Sequence, residues 1–171
     1  MDSSKVNTSA KPRVALFAGS FDPFTTGHKS IVDRALPLFD AIVIGVGINS
    51  AKTQWMPLDE RISAIRALYA ANPKVSVESF QGLASDFARE KGADYLLRGV
   101  RSIADFEYER NMADANRMLT DGQLETILIL SLPGLAAVSS SLVRELARFG
   151  APYTQFIPKP CLLYTSPSPR D

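Results

Sequence analysis

Residues 41–48, AIVIGVGI, run without a single polar side chain. The run falls far short of the roughly 18 residues that cross a bilayer as a helix. It also lacks the alternation of a strand with one wet face, and it fits a strand covered on both faces, as in a parallel sheet. Residues 13–18 (RVALFA) and 125–132 (ETILILSL) have the same character, and residues 75–80 (VSVESF) and 94–98 (DYLLR) complete five candidate strands. Helical spacing fills the intervals: Val32, Ala35, Leu36 and Phe39; Leu58, Ile62, Ile65 and Leu68 behind Pro57 and Asp59-Glu60; a short helix over residues 83–91; Tyr108, Met112, Ala115 and Leu119; and residues 142–149 before Gly150. The βα order predicts an α/β fold, a single doubly wound parallel five-stranded sheet with right-handed crossovers. In such sheets ligands lie beyond the carboxyl ends of the strands, at the point where strand order reverses.

A chain of 171 residues is about one domain. Lys+Arg 19 against Asp+Glu 18 leaves a charge of +1, which gives no basic field for nucleic acid or a membrane surface. The single cysteine, Cys161, excludes an internal disulfide framework and a cysteine-based zinc site. The first twelve residues, MDSSKVNTSAKP, are polar without an apolar stretch, so they read as a disordered leader rather than a signal peptide, and a cytoplasmic protein is expected. At the other end, YTSPSPRD cannot continue a helix or a central strand. The expected division is a leader over residues 1–12, one domain over 13–158, and an irregular tail over 159–171, foreign to the domain or truncated. A chain ended near Pro158 is expected to keep fold and activity.

The first strand–helix junction reads Gly19-Ser20-Phe21-Asp22-Pro23-Phe24-Thr25-Thr26-Gly27-His28. It fails the Walker A test, with His28 in the lysine slot and Asp22 where the first glycine belongs. Gly45-Val46-Gly47 fails the dinucleotide fingerprint, because Ser50 stands where the third glycine is needed. What remains is a glycine-bearing turn that delivers the only histidine to a helix start, where free N–H groups and a partial positive charge favour phosphate. Ser20 and backbone amides can add contacts. Ser139-Ser140-Ser141 opens the last helix, with Arg144 one turn on. Those serines can cap the helix, form a second anion site, or do both.

At these residues the chain resembles a known family. Gly19 through His28 is similar to the TxGH form of the (H/T)xGH signature of nucleotidyltransferases. Lys52, Leu97-Arg98-Gly99-Val100-Arg101, Ala104-Asp105-Phe106-Glu107-Tyr108-Glu109 and Val138-Ser139-Ser140-Ser141-Leu142-Val143-Arg144 extend the likeness over residues 13–158. Together they resemble the bacterial phosphopantetheine adenylyltransferases. The resemblance implies a Rossmann-like nucleotidyltransferase fold and attack by the phosphate of 4′-phosphopantetheine on the α-phosphate of ATP. Dephospho-coenzyme A would form and pyrophosphate leave, without a covalent intermediate.

By that resemblance His28, Lys52 and Arg98 are catalytic. Ser20, Lys52, Ala84 and Arg98 bind phosphopantetheine. ATP is met by Ser20, Phe21, His28, Gly99, Val100, Arg101, Glu109, Val138, Ser139, Ser140 and Ser141. Mg²⁺ bridges phosphates with no direct protein ligand, and the assembly is a homohexamer. On the residues alone, Lys52 can be merely solvated, Arg98 can pair with Asp94 or Asp105, Glu109 can sit on an exposed helical face, and Ala84 can be helix packing. The chain departs from the family in residues 133–137, which lack an aromatic side chain, and in the tail. Rival readings are a nucleotidyltransferase with another phosphorylated acceptor and a noncatalytic sensor of nucleotide or coenzyme A.

Overall fold

The computed structural model describes residues 10–165. Five strands, β1 (Val14–Gly19), β2 (Ala41–Gly47), β3 (Val75–Phe80), β4 (Tyr95–Val100) and β5 (Glu125–Leu130), form one all-parallel sheet in the order β3-β2-β1-β4-β5. Helices α1 (Thr26–Ala35), α2 (Leu58–Leu68), α3 (Ala84–Glu90), α4 (Ile103–Leu119) and α5 (Ser140–Arg148) follow the strands in turn. Order therefore reverses between β1 and β4.

The pleat sends alternate side chains to opposite faces. Ala15 and Phe17 of β1 and Ile42, Ile44 and Val46 of β2 join Ile31 and Val32 of α1 and Ile65 of α2 on one face. Leu16, Ala18 and Val43 join Phe87 and Ala88 of α3 on the other. Both faces are covered, which is why the strands read as unbroken apolar runs.

Three expectations need correction. The stripe Tyr108, Met112 and Leu119 is exposed, and Glu109 is the one buried residue of α4, so this helix turns a carboxylate inward rather than its apolar row. Helix α1 stops at Ala35 because Pro37 converts residues 36–38 to a 3-10 turn, although Phe39 beyond it is still buried. Order also continues past Pro158. Lys159–Cys161 make a 3-10 turn and Leu162–Thr165 a further helical turn, α6, so Tyr164 and Thr165 are helical where a break was expected. Apolar burial accounts for it: Cys161 packs with Ala64, Val143 and Ile157, and its thiol lies 3.5 Å from the Ala64 carbonyl.

Of the expected leader, residues 1–9 lie outside the described residues, while Lys11 pairs with Asp94 at 2.7 Å. Residues 166–171 of the tail lie outside them too. No helix among the described residues is long and apolar enough to cross a membrane.

Gly45 shows how tightly α3 closes on the sheet. A Cβ there would stand 3.0 Å from Leu16 Cδ1, 3.0 Å from Phe87 Cε1 and 3.2 Å from Phe80 Cδ1. The Phe80 and Phe87 rings are stacked at 4.8 Å and cannot both retreat. Gly45→Val should therefore destabilise the fold by about 1–3 kcal/mol, read as a lower urea midpoint at unchanged slope. An unchanged midpoint would contradict this packing.

Candidate active site

The strand β1 pairs with β2 along its whole length but with β4 only at Ala15–Tyr95 and Leu16–Leu96. Beyond Leu16 the two strands diverge, and a cleft of about 380 Å³ opens at their carboxyl ends. That is a volume suited to a small ligand. Its wall draws on four strand–helix junctions: Gly19 to Asp22 after β1, Asn49 and Lys52 to Gln54 after β2, Arg98, Gly99 and Arg101 at β4, and Ser131 and Val138 to Ser140 after β5.

The β1–α1 turn is held in an unusual shape. Phe21 has φ of 48°, a conformation that bulky residues adopt only when their surroundings impose it. Its buried ring lies 5.1 Å from Phe17, 5.3 Å from Phe24 and 5.0 Å from His28. Thr25 then caps α1 in a reciprocal box: its hydroxyl accepts from the His28 N–H at 3.3 Å, and its own N–H donates to His28 Nδ1 at 3.0 Å. A backbone N–H can only donate, so Nδ1 carries no proton and Nε2 must. Gly27 lets this first turn approach the strand-β5 side, since a Cβ there would meet the Val138 carbonyl at 3.3 Å.

Burial, followed by the charges of Arg98 and Arg101, lowers the His28 imidazole from 6.5 to about 3. The cleft thus holds a neutral ring whose proton sits on Nε2. It is a hydrogen-bond donor of fixed tautomer, with no tendency to take a further proton at neutral pH.

Cations surround it. Lys52, Arg61, Arg98, Arg101 and Arg144 line the cleft against one carboxylate, Asp22. Both Asp22 oxygens are engaged, by the Trp55 and Met56 amides at 2.7 Å each. Arg98 donates through Nε and Nη2 to the two oxygens of Glu109, at 3.0 and 2.8 Å, and through Nη1 to the Ala18 carbonyl at 2.7 Å. Its partner is Glu109, not Asp94 or Asp105, which pair with Lys11 and Arg101. Lys52, by contrast, is exposed and makes no ion pair among the described residues.

Ser139 caps α5 by accepting from Leu142 N–H at 3.1 Å, and its own hydroxyl proton has no acceptor among the described residues. Ser140 donates to the Pro23 carbonyl at 2.7 Å, and Arg144 donates to the Asp22 carbonyl at 2.7 Å. Both tie the start of α5 to the β1–α1 turn.

Chains similar to this one carry a common name. A family model described as cytidylyltransferase-like matches residues 16–146. A phosphopantetheine adenylyltransferase of Phocaeicola vulgatus is 48% identical over 147 residues, 86% of this chain and 96% of the relative. Those of Bacteroides fragilis and Porphyromonas gingivalis are 46% and 45% identical, spanning 86% and 87% of this chain and 97% and 96% of theirs. The chain belongs to the phosphopantetheine adenylyltransferase family.

For this family member the cleft gathers Ser20, Phe21, His28, Lys52, Arg98, Gly99, Arg101, Val138, Ser139 and Ser140 of the expected site. Four expected residues stand outside its wall. Ala84 packs with the α3 face, Val100 is buried in β4, Ser141 is exposed, and Glu109 lies behind Arg98. Sequence reasoning quoted Thr25 as the first residue of the TxGH signature without giving it a role, and it missed the roles of Asp22 and Arg61. A signal existed for Arg61: it stands three residues after Leu58 and four before Ile65, in phase with the buried stripe of α2.

The protonation of His28 is directly measurable because it is the only histidine. Its ring resonances should not move between about pH 8 and about pH 5, where an ordinary histidine would titrate. The unfolded chain takes this proton near 6.5 and the folded chain only near 3, so His28 lowers stability as pH falls through that window and adds no pH dependence above it. A midpoint near 6.5 by NMR titration would contradict the buried, neutral ring.

Proposed function

We propose that this chain transfers the adenylyl group of ATP to 4′-phosphopantetheine, giving dephospho-coenzyme A and pyrophosphate. The observation that carries the reading is the cleft itself: five cations against one carboxylate whose oxygens are already bonded, around a neutral histidine at a helix start. The name shared by the relatives favours this acceptor over other phosphorylated acceptors.

An oxygen of the acceptor phosphate forms a bond to the α-phosphorus as the bond to the β-phosphate oxygen breaks, and pyrophosphate leaves with that electron pair. The acceptor is already anionic, so the protein needs neither a nucleophile of its own nor a strong base. Its work is to bring two anions together in line and to hold the charge that grows at the α-phosphate and leaving group. Lys52 and Arg98 hold the attacking phosphate. Ser20 and the Phe21 N–H orient it against ATP, and His28 donates from Nε2 to an α-phosphate oxygen. Gly99, Arg101 and Ser139 face the nucleotide. Glu109 acts through Arg98, by keeping the guanidinium fixed.

Mg²⁺ is part of the proposal. The donor set fits an ion carried on phosphate oxygens, because the cleft offers cations and N–H groups and a single carboxylate whose two oxygens each already accept a backbone N–H. Bound there, it would neutralise further phosphate charge. We also propose the cytoplasm as the compartment and a homohexamer as the assembly. The exposed stripe Tyr108, Met112 and Leu119 on α4 supports self-association, since an exposed apolar face of this kind commonly marks an interface.

Pyrophosphate should be released from ATP only when 4′-phosphopantetheine is added; binding of ATP without that release would identify a sensor instead. His28→Ala should lower kcat by about 10²–10³-fold, the usual cost of one preorganised donor, with ATP affinity nearly intact. Turnover within a few-fold of the parent would remove His28 from the mechanism. Lys52→Ala should raise KM for the acceptor and leave that for ATP little changed, and equal loss of both would contradict the division of labour.

A further inference from the structure

Arg61 is 3% exposed, and no carboxylate lies within ion-pair distance of it among the described residues. Such groups are seldom buried without a paired charge. Its guanidinium donates through Nε to the Met56 carbonyl at 3.1 Å and through Nη1 to the Ser20 carbonyl at 2.7 Å. From the other side, Asp22 accepts the Trp55 and Met56 amides. The segment Trp55-Met56 is therefore gripped at three backbone atoms, two N–H groups by Asp22 and one carbonyl by Arg61. Arg61 then reaches across to the turn that carries Ser20. Asp22 belongs to that same turn, so both grips join one pair of loops.

We infer that Arg61 is a positioning residue, fixing the loop that carries Lys52 against the turn that carries Ser20. The inference rests on the proposed transfer reaction, in which those two residues hold the reacting phosphates. The choice of side chain follows from the geometry. A methionine would fill similar space without burying a charge, which is often neutral or stabilising. A lysine offers one nitrogen where the planar fork of arginine offers several at fixed angles, and only the fork bridges carbonyls from two separate loops. Arg61 also lines the cleft, so its unpaired charge faces the place where the phosphates would bind.

Trp55, the only tryptophan, reports on the loop directly. In the full-length chain, Arg61→Met should fold with thermal stability near that of the parent, yet its Trp55 emission should be more readily quenched by acrylamide. Its kcat should fall on the order of 10–100-fold, the scale of a small misplacement remote from the chemistry, and Arg61→Lys should not restore it. Combined with Lys52→Ala, the loss should be smaller than the product of the two single losses, because a released loop no longer carries its cation.

Parent-like kinetics and quenching in Arg61→Met would overturn the inference, as would losses that multiply in full. If Arg61→Met does not fold, Asp22→Asn reads the same clamp by quenching, and an unchanged Trp55 there overturns it equally. A parent protein that releases no pyrophosphate would instead overturn the proposed reaction, leaving the Trp55 measurement to decide the clamp.

Discussion

β1 and β4 stay together for only two residue pairs, and the site depends on that short join. Had the ladder continued, as it does between β1 and β2, the ends of both strands would be closed against each other. Instead the strands part after Leu16 and Leu96, and Arg98 bridges the gap from β4 to the Ala18 carbonyl at 2.7 Å. A side chain thus replaces the ladder where the sheet changes direction. The bridge is cationic, so the structural solution to the open edge also places positive charge where a ligand would enter.

Charge placement, rather than net charge, gives the cleft its character. The whole chain carries +1, yet the cleft sets five cations against Asp22. Crowding them costs energy, and the sequence limits that cost by keeping the nearest titratable group neutral. His28 holds no charge because three phenylalanines exclude water and because Arg98 and Arg101 repel a second proton. The same neutrality leaves it able to donate one hydrogen bond of fixed direction.

The sequence was most legible where local pattern and burial agree. The runs in β1 and β2 are continuous because α1 and α2 cover one face and α3 the other, and the turn that delivers His28 to a helix start lies wholly within residues 19–28. It was least legible where a partner comes from far along the chain. Glu109 looks like any exposed acid of α4 until β4 brings Arg98 beside it, and the phase of Arg61 puts it on the buried side of α2 without revealing its partner Ser20, 41 positions earlier. The stripe of α4 located a helix but not its surroundings. Its spacing is helical, but nothing among the described residues covers it, and periodicity states that a face is apolar without stating what meets it. The tail failed because its prolines and serines masked an apolar segment, Cys161 to Leu163, long enough to fold one turn against α2.

The two cations proposed for the attacking phosphate are held in opposite ways. Arg98 commits three of its five N–H groups, two to the oxygens of a buried carboxylate and one to a carbonyl, so the two that remain meet a ligand already oriented and lose little freedom on binding. Lys52 stands on an exposed loop without an ion pair among the described residues, a compact charge on a flexible stem. A site built only of fixed forks would bind one geometry well and resist the movement of phosphate during transfer. A site built only of lysines would spend binding energy on ordering them. Pairing one fixed guanidinium with one movable ammonium lets the first define where the phosphate sits and the second follow its charge. The loop beneath Lys52 must then be rigid at its base even though its tip is free, and that is where Asp22 and Arg61 take hold of Trp55 and Met56.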